Sequence, residues 1–431
     1  MKQLYLKLIN DPRIKNSLWM LVEKGISLFG LIFIISAVAK YTGPSIYGEI
    51  SLAASIFIVL KTIAQLGLDQ IYFKYVSQQK PYHFLFVKYA NQLISLIYIL
   101  LSAVVIGVAY FYSSNTGFYF ILATCLAYYF NSIDLFNAYY EGSLLSKINV
   151  FANVIGLLVS LVLRWGIVFF TLDYLYLILP IILMTLIPLL IKMSIYYKKH
   201  QSMIKISNGF NVKQKKYRAY FFAMGIPLTL AVLTATVNGQ ISNFLLGYLE
   251  NTKSVGIFSV AFVLAGAWCI IPTTLIMSYM TSIYNINNQD YTNYISLSAK
   301  IFRNLAVLAL LIILALYFLA PYIIDWLYGH QYQHSINIFR YLILFQFFWV
   351  LNFYFSRIII KYNGYRFLAV KSIVFCVFNF LISFVMIKQY SIVGAAIALI
   401  LTETFSLLSN LLYRPAKLGH VIFNIGVKNN E

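Results

Sequence analysis

The chain has 431 residues, of which 61% are hydrophobic and only 10% are charged, and its mean hydropathy is +0.80. Soluble domains contain roughly 45–50% apolar residues, so this composition excludes a soluble protein and indicates an integral membrane protein. The formal net charge of +20 does not indicate a nucleic-acid partner, because the basic residues are spread over many loops that would flank a membrane.

Apolar segments of about 20 residues recur along the whole chain, and each is long enough to cross a bilayer as a helix. They predict an all-α integral membrane protein whose N-terminal segment is retained rather than cleaved as a signal peptide. The sequence predicts 12 transmembrane helices, at 18–39, 46–66, 87–111, 117–140, 148–172, 174–197, 217–246, 254–280, 298–320, 336–358, 367–388 and 390–412.

Lysine and arginine residues test this arrangement because they accumulate in short cytoplasmic loops. With 12 spans, nearly all basic residues in the loops or near the ends of the helices fall on one side of the membrane, including Lys192 near the end of the sixth span. Only Lys40, Lys253 and Lys388 fall on the other side. The asymmetry predicts that both termini are cytoplasmic.

A basic segment at 198–216 divides the spans into six and six, so we expect an N-terminal half at 1–197 and a C-terminal half at 217–431. The segment is either a plain cytoplasmic linker or a site that also holds anionic lipid headgroups. The halves echo each other, since "YGEISLAASI" and "VGIFSVAFVL" each follow the first helix of a half. Two six-helix repeats around a central cavity are typical of alternating-access transporters.

Charged residues inside the predicted spans are the first candidates for a functional site, because such residues usually face a bundle interior or a wet cavity. Lys24, Lys61 and Asp134 lie at similar depths, about 8–10 Å from the cytoplasmic ends of their helices. We expect them to share an inner vestibule. The alternative for each lysine is snorkelling, in which the flexible stem carries the ammonium to the headgroups.

Arg164 interrupts the apolar run "VIGLLVSLVLRWGIVFF" about 12 Å below the periplasmic end of the fifth span, too deep for easy snorkelling. A buried ion pair with Asp134 is the structural alternative, but the two backbones would differ in depth by roughly 12 Å. We therefore favour a role for Arg164 in lining the cavity and contacting an anion.

Polar residues also follow one stripe of the fourth span, where Tyr128, Asn131, Asp134 and Asn137 recur every third position. Amides and aromatic rings together suit a sugar ligand. Hydrogen bonds between neighbouring helices, worth about 0.6 kcal/mol each on average, are an equal alternative.

Five segments in order and in register resemble signature segments of Wzx-type O-antigen and polysaccharide flippases. They are "AKYTGPSIYGEISLAAS", "IAQLGLDQIYFKYVS", "SVGIFSVAFVLAGAWCIIP", "WLYGHQYQHSINIFRYLI" and "SIVGAAIALILTE". These flippases belong to the multidrug/oligosaccharidyl-lipid/polysaccharide exporter superfamily, and the resemblance runs from about Leu18 to Asn410. In one departure from the family pattern, Asn238, Gln240 and Asn243 stand where an acidic residue is common late in the seventh span.

The resemblance implies a flippase of the bacterial inner membrane, which moves undecaprenyl-diphosphate-linked oligosaccharide repeat units from the cytoplasmic to the periplasmic leaflet. A polysaccharide polymerase would be a partner in that pathway. The guanidinium of Arg164 suits the diphosphate, because its planar fork of donors binds such groups bidentately. Coupling to a proton or sodium ion is assigned to Asp69 and Glu403, and Glu403 alternatively serves helix packing.

Other functions fit the sequence less well. A glycan polymerase or ligase would need a large periplasmic platform, and the longest predicted outer loop is only about residues 321–335. A multidrug exporter of the same superfamily would favour an acidic cavity, whereas Lys24, Lys61 and Arg164 are cationic. No GxxxxGK[ST] motif occurs, and His330 and His334 lack the glutamate of an HExxH motif, so we expect no enzyme activity, metal or cofactor.

Overall fold

The computed structural model describes residues 19, 25–26, 30–79, 83–200, 214–286 and 290–423, and over these residues every regular element is helical. A π-helical turn at Leu31–Ile35 leads into the first long helix. The helices are α1 (Ser36–Gln65), α2 (Leu68–Ser77), α3 (His83–Tyr112), α4 (Asn115–Ser132), α5 (Phe136–Gly142), α6 (Ser146–Phe169), α7 (Ile178–Lys199), α8 (Gln214–Leu249), α9 (Thr252–Ala267), α10 (Ile270–Asn285), α11 (Tyr291–Tyr328), α12 (His334–Lys361), α13 (Tyr365–Ser409) and α14 (Leu418–Phe423).

Within the described residues, nine helical segments are long and apolar enough to cross a membrane. They are Ile32–Gln65, Phe84–Tyr112, Asn115–Gly142, Ser146–Phe169, Tyr174–Lys199, Thr252–Asn285, Thr292–Tyr328, His334–Lys361 and Tyr365–Leu412. The predicted all-α membrane fold is confirmed. The number of 12 spans and the cytoplasmic position of both termini stay predictions.

Two of the nine segments contain a backbone break where the sequence predicts a boundary between spans. Gly43 in α1 has φ 76° and ψ 170°, immediately before Pro44. Ser391 in α13 has φ 52° and ψ −134°, and it is the second residue of the predicted span 390–412, which follows the span 367–388. Because proline lacks an amide donor and glycine tolerates positive φ, the break in α1 is explained by its sequence.

The chain divides into two compact units, Met1–Thr236 and Val237–Glu431, and the division falls within α8. Early in α8, Phe221 is fully buried and meets the ring of Phe86 edge-on, so this part of the helix packs with unit 1. Most of the predicted linker, at 201–213, lies outside the described residues. The predicted boundaries of the two halves therefore stay a prediction.

Each unit has its own helix packing and its own apolar core. In unit 1, α6 packs on α7, and α4 packs on both α1 and α7. In unit 2, α12 is central and packs on α9, α11 and α13. The core of unit 1 contains buried aromatic side chains such as Tyr72, Phe86 and Tyr196, and the core of unit 2 contains Tyr294 and Tyr354.

Candidate functional site

Unit 1 contains a cavity of about 660 Å³, which falls within the usual range of small-ligand sites, roughly 300–1,000 Å³. Charged and amide side chains dominate its wall, although the surrounding helices are largely apolar. The lining residues are Lys61, Gln65, Asp69, Gln70, Phe73, Asn131, Asp134, Asn137, Ala138, Glu141, Asn153 and Lys192.

Two interruptions of helical backbone lie beside this cavity. Leu66 and Gly67, with φ 50° and 59°, separate α1 from α2, and 133–135 separates α4 from α5. The side-chain amide of Gln65 donates a hydrogen bond of 3.1 Å to the carbonyl of Ser132, which joins the two interruptions. Non-helical backbone at membrane depth persists where it is buried in protein or lines a water-filled cavity, as in the discontinuous helices of transporters.

Gly67 is required at the first interruption for two reasons. Its φ of +59° is a left-handed conformation that L side chains rarely adopt. A Cβ at this position would also lie 2.8 Å from the Cβ of Leu228 in α8, which is too close for real atoms. The turn between α1 and α2 therefore depends on glycine.

Asp134 lies in the second interruption and forms an ion pair with Lys192 of α7. Lys192 is only 2% exposed and Asp134 is 15% exposed. The ammonium also donates to the side-chain oxygen of Asn153 at 3.3 Å, whereas Oδ1 of Asp134 is buried without a hydrogen-bond partner among the described residues. The pair therefore forms part of the polar wall of the cavity, and Oδ1 of Asp134 accepts no hydrogen bond from the described residues.

Lys61 is the second cation of the cavity. Its half-buried side chain makes no hydrogen bond or ion pair to the described residues, although it lies within electrostatic range of Asp69, Asp134 and Lys192. With Glu141, the wall therefore carries three carboxylates and two ammonium groups. One ammonium is held in an ion pair, and that of Lys61 is available to a ligand.

Five of the residues predicted from the sequence come together here, namely Lys61, Asp69, Asn131, Asp134 and Asn137. Their shared position follows from the two interruptions, which bring the ends of α1 and α4 to one cavity.

One other candidate for the site lies elsewhere, and one lies outside the described residues. Tyr128 packs against the apolar cluster of unit 1 and does not line the cavity. Lys24 lies outside the described residues, so its predicted place in the vestibule stays a prediction.

Arg164 lies on α6, apart from this cavity. Its guanidinium is within electrostatic range of Tyr47, and its Nε is buried with no hydrogen-bond partner among the described residues. Asp134 is paired with Lys192 and not with Arg164, as the difference in depth leads one to expect. The role of Arg164 as an anion contact stays a prediction.

Glu403 of α13 belongs to a buried polar network in unit 2. The side-chain amide of Asn352 in α12 donates to the carboxylate of Glu403, and also to the hydroxyl of Ser406 at 2.9 Å. The ammonium of Lys371 donates to the side-chain oxygens of Asn352 and Asn410, both at 2.7 Å. Asn352 therefore links the carboxylate of Glu403 to the ammonium of Lys371. Glu403 is held by hydrogen bonds as well as by packing.

The region late in the seventh predicted span is neutral, as its sequence indicates. Asn379 donates to the side-chain oxygen of Asn238 at 2.9 Å, and its own oxygen accepts from Ser383 at 3.0 Å. Asn243 donates to Gln240 at 3.3 Å. These contacts involve only amides and hydroxyls, so Asn238, Gln240 and Asn243 form a neutral hydrogen-bonded region.

Lys192 is a site residue that the sequence pattern did not single out, and the membrane side predicted for it stays a prediction. The structure buries its side chain inside α7 and turns its ammonium to Asp134. The sequence contains a sign of this burial. Lys198 and Lys199 already supply the positive charge at the end of the helix, and Lys192 lies about 10 Å further into the span. Sequence reasoning also missed Gln65 and Asn153, since single amides in apolar helices carry little pattern.

A known protein family matches most of the chain. A model of the family described as polysaccharide biosynthesis protein matches residues 37–337, which is more than half of the chain. The chain belongs to this family. No curated protein sequence matches it significantly.

Solved structures with a similar fold include a lipid II flippase and MATE transporters. The inward closed conformation of the lipid II flippase MurJ is similar with a TM-score of 0.62 and 17% identity, over 95% of this chain and 90% of that one. A MATE transporter in the bent conformation has a TM-score of 0.52 and 13% identity, over 97% and 98% of the two chains. An outward-facing multidrug resistance MATE transporter of the MOP superfamily has a TM-score of 0.51 and 13% identity, over 96% and 97%.

These similarities establish the fold of this polysaccharide biosynthesis family member. The family match and the fold together agree with the resemblance to Wzx-type flippases. The protein is a multi-pass membrane protein.

Proposed function

We propose that the protein is an alternating-access flippase of the bacterial inner membrane that moves undecaprenyl-diphosphate-linked oligosaccharide repeat units from the cytoplasmic to the periplasmic leaflet. Its family supports a role in polysaccharide biosynthesis. The similarity of its fold to that of the lipid II flippase MurJ supports the transfer of a lipid-linked sugar. Polysaccharide polymerase machinery would then use the product.

The cavity of unit 1 is the observation that supports this cargo most directly. The ammonium group of Lys61, which has no partner among the described residues, stands in this cavity together with amides that include Asn131 and Asn137. An ammonium attracts a diphosphate as a compact point charge, and amides form hydrogen bonds with sugar hydroxyls. The volume of about 660 Å³ suits the diphosphate and the sugar next to it, while the lipid tail stays in the bilayer.

Two further cations extend this proposal. Lys24 is predicted to share the vestibule with Lys61, and Arg164 lies apart from the cavity. On the predicted topology, Lys61 lies toward the cytoplasmic end of its helix and Arg164 toward the periplasmic end of α6. Two cations at different depths would let the anionic head group pass from one to the other. Because Lys61 stands in the cavity, water there would weaken its attraction for the cargo, which could then be released.

Ion coupling completes the proposed cycle, and Asp69 and Glu403 are its candidate carboxylates. Asp69 lies in the first turn of α2, on the wall of the cavity. Glu403 is 7% exposed and hydrogen bonded to Asn352 in unit 2. A buried carboxylate is expensive to keep charged, so the binding of a proton or sodium ion would change its stability strongly.

Reconstitution into lipid vesicles tests the function directly. Purified protein is expected to make an undecaprenyl-diphosphate-linked oligosaccharide in the inner leaflet accessible to a glycosidase added outside. Vesicles without protein, and vesicles with a lipid that carries the same sugar on a neutral linker, are the controls. Equal transfer of the neutral lipid would contradict the proposed recognition of the diphosphate.

Export of cationic compounds is a second candidate, because three carboxylates, Asp69, Asp134 and Glu141, line the same cavity. Such a wall also suits a cationic amphiphile. Expression in a bacterium that lacks its own exporters separates the two functions, since an exporter raises resistance to cationic drugs and the proposed flippase does not.

A further inference from the structure

We propose that Asp134 and Lys192 couple the binding of the cargo to the uptake of one proton. This inference rests on the proposed function, since the cargo must carry a diphosphate. Without cargo, the ammonium of Lys192 is paired with Asp134. When the diphosphate enters, the ammonium turns to the phosphate oxygens, and Asp134 accepts a proton from the water of the cavity.

The geometry of the pair allows this exchange. Both residues line the cavity, so a ligand there can reach the ammonium. Lys192 holds Asn153 only at 3.3 Å, and a phosphate oxygen can replace this long contact. Asp134 lies between α4 and α5, outside the regular hydrogen bonding of either helix, and its second oxygen has no hydrogen-bond partner among the described residues. The new proton can reside on that oxygen.

The energetics favour the proton once the ammonium has turned away. Removing one partner from a buried ion pair is strongly unfavourable, because the remaining charge is left uncompensated. Protonation removes that charge from Asp134. The step is balanced, since Lys192 stays protonated, the diphosphate keeps its charge, and one proton moves from water to the carboxylate.

The other titratable groups around Asp134 do not undergo the same change. Lys61 has no described partner to release, and Glu141 keeps the amide hydrogen bond from Asn137 at 2.9 Å. The hydroxyl of Tyr140 donates to the backbone carbonyl of Lys192 at 3.0 Å. Asp69 lies on α2 and is not paired with Lys192. Asp134 is the carboxylate that loses its cation.

Calorimetry on the purified full-length protein in lipid nanodiscs tests the coupling, with undecaprenyl diphosphate as the probe. Titration in buffers with different ionisation enthalpies gives the number of protons taken up. The wild type is expected to take up about one proton more per bound diphosphate than Asp134→Asn, and its affinity is expected to rise about tenfold for each unit of decreasing pH. Comparison with the variant cancels protons taken up by the ligand itself.

Two further variants keep the result interpretable. Glu250→Gln removes an exposed carboxylate that does not line the cavity, and it is expected to take up protons as the wild type does. Lys192→Met, which tests the pair if Asp134→Asn does not fold, is expected to lose both affinity and proton uptake.

The possible failures are distinguishable. Binding by the wild type with the same proton uptake in Asp134→Asn would overturn the coupling and leave the proposed cargo intact. No binding of the diphosphate by the wild type would overturn the cargo and the coupling with it.

Discussion

Asp134 and Lys192, which are 58 positions apart in the sequence, form a buried ion pair on the wall of the cavity in unit 1. The pair joins the interruption between α4 and α5 to the middle of α7. Because each charge compensates the other, we expect Asp134→Asn and Lys192→Met each to lower the temperature of thermal unfolding in detergent, corresponding to about 3–5 kcal/mol. The double variant Asp134→Asn, Lys192→Met should recover much of the loss. Additive losses would show that the pair is not coupled.

Lys61→Ala is expected to reduce transfer of the diphosphate-linked sugar at least tenfold, because it removes the ammonium that is available to the cargo. A tenfold effect corresponds to about 1.4 kcal/mol, which is modest for a charge-assisted contact. Transfer in reconstituted vesicles is the measurement. Lys88→Ala, which removes an exposed lysine of α3 outside the cavity, is the matched control and should be silent.

Arg164→Glu is expected to abolish surface glycan while the protein still inserts into the membrane, because the reversed charge would repel the diphosphate. Arg164→Lys should retain part of the glycan, since the charge remains and the bidentate fork is lost. Glycan staining and the amount of protein in the membrane are measured together. Normal glycan in Arg164→Glu would refute the anion contact.

Glu403→Gln is expected to abolish transport driven by an ion gradient, because a neutral amide cannot bind and release a proton or attract a cation. Exchange of cargo without a gradient should persist if Glu403 serves coupling alone. Glu250→Gln, at an exposed position after α8, is the control. Gradient-driven transport that is unchanged in Glu403→Gln would leave this carboxylate with a packing role.

Gly67→Ala is expected to destabilise the protein by about 1–3 kcal/mol, because the new Cβ meets Leu228 and the backbone has positive φ. Gly166 provides the matched control, since a Cβ there has nothing within 4 Å and the residue is helical. Gly166→Ala should be neutral or slightly stabilising. Thermal unfolding of both variants in the same detergent makes the comparison.

The candidate site was partly predictable. Lys61 and Asp134 stand out in the sequence because charges are rare in apolar spans, and the spacing of Asn131 and Asn137 places them with Asp134 on one stripe. Lys192 did not stand out, because a lysine near the end of a span has the ordinary alternative of snorkelling. Its partner could be found only when α7 was placed against α4.

The sequence by itself determined the class of the protein, since long apolar segments in a chain with few charges can satisfy their backbone in a membrane only as helices. It also showed that Asn238 and its neighbours are neutral amides where the family often has an acidic residue. It contained segments specific enough to indicate the family. The tertiary structure decided which polar groups meet. The interruptions at Gly67 and Asp134 help to bring residues from six helices to one cavity. These contacts depend on helix packing between distant segments, which no local pattern of residues encodes.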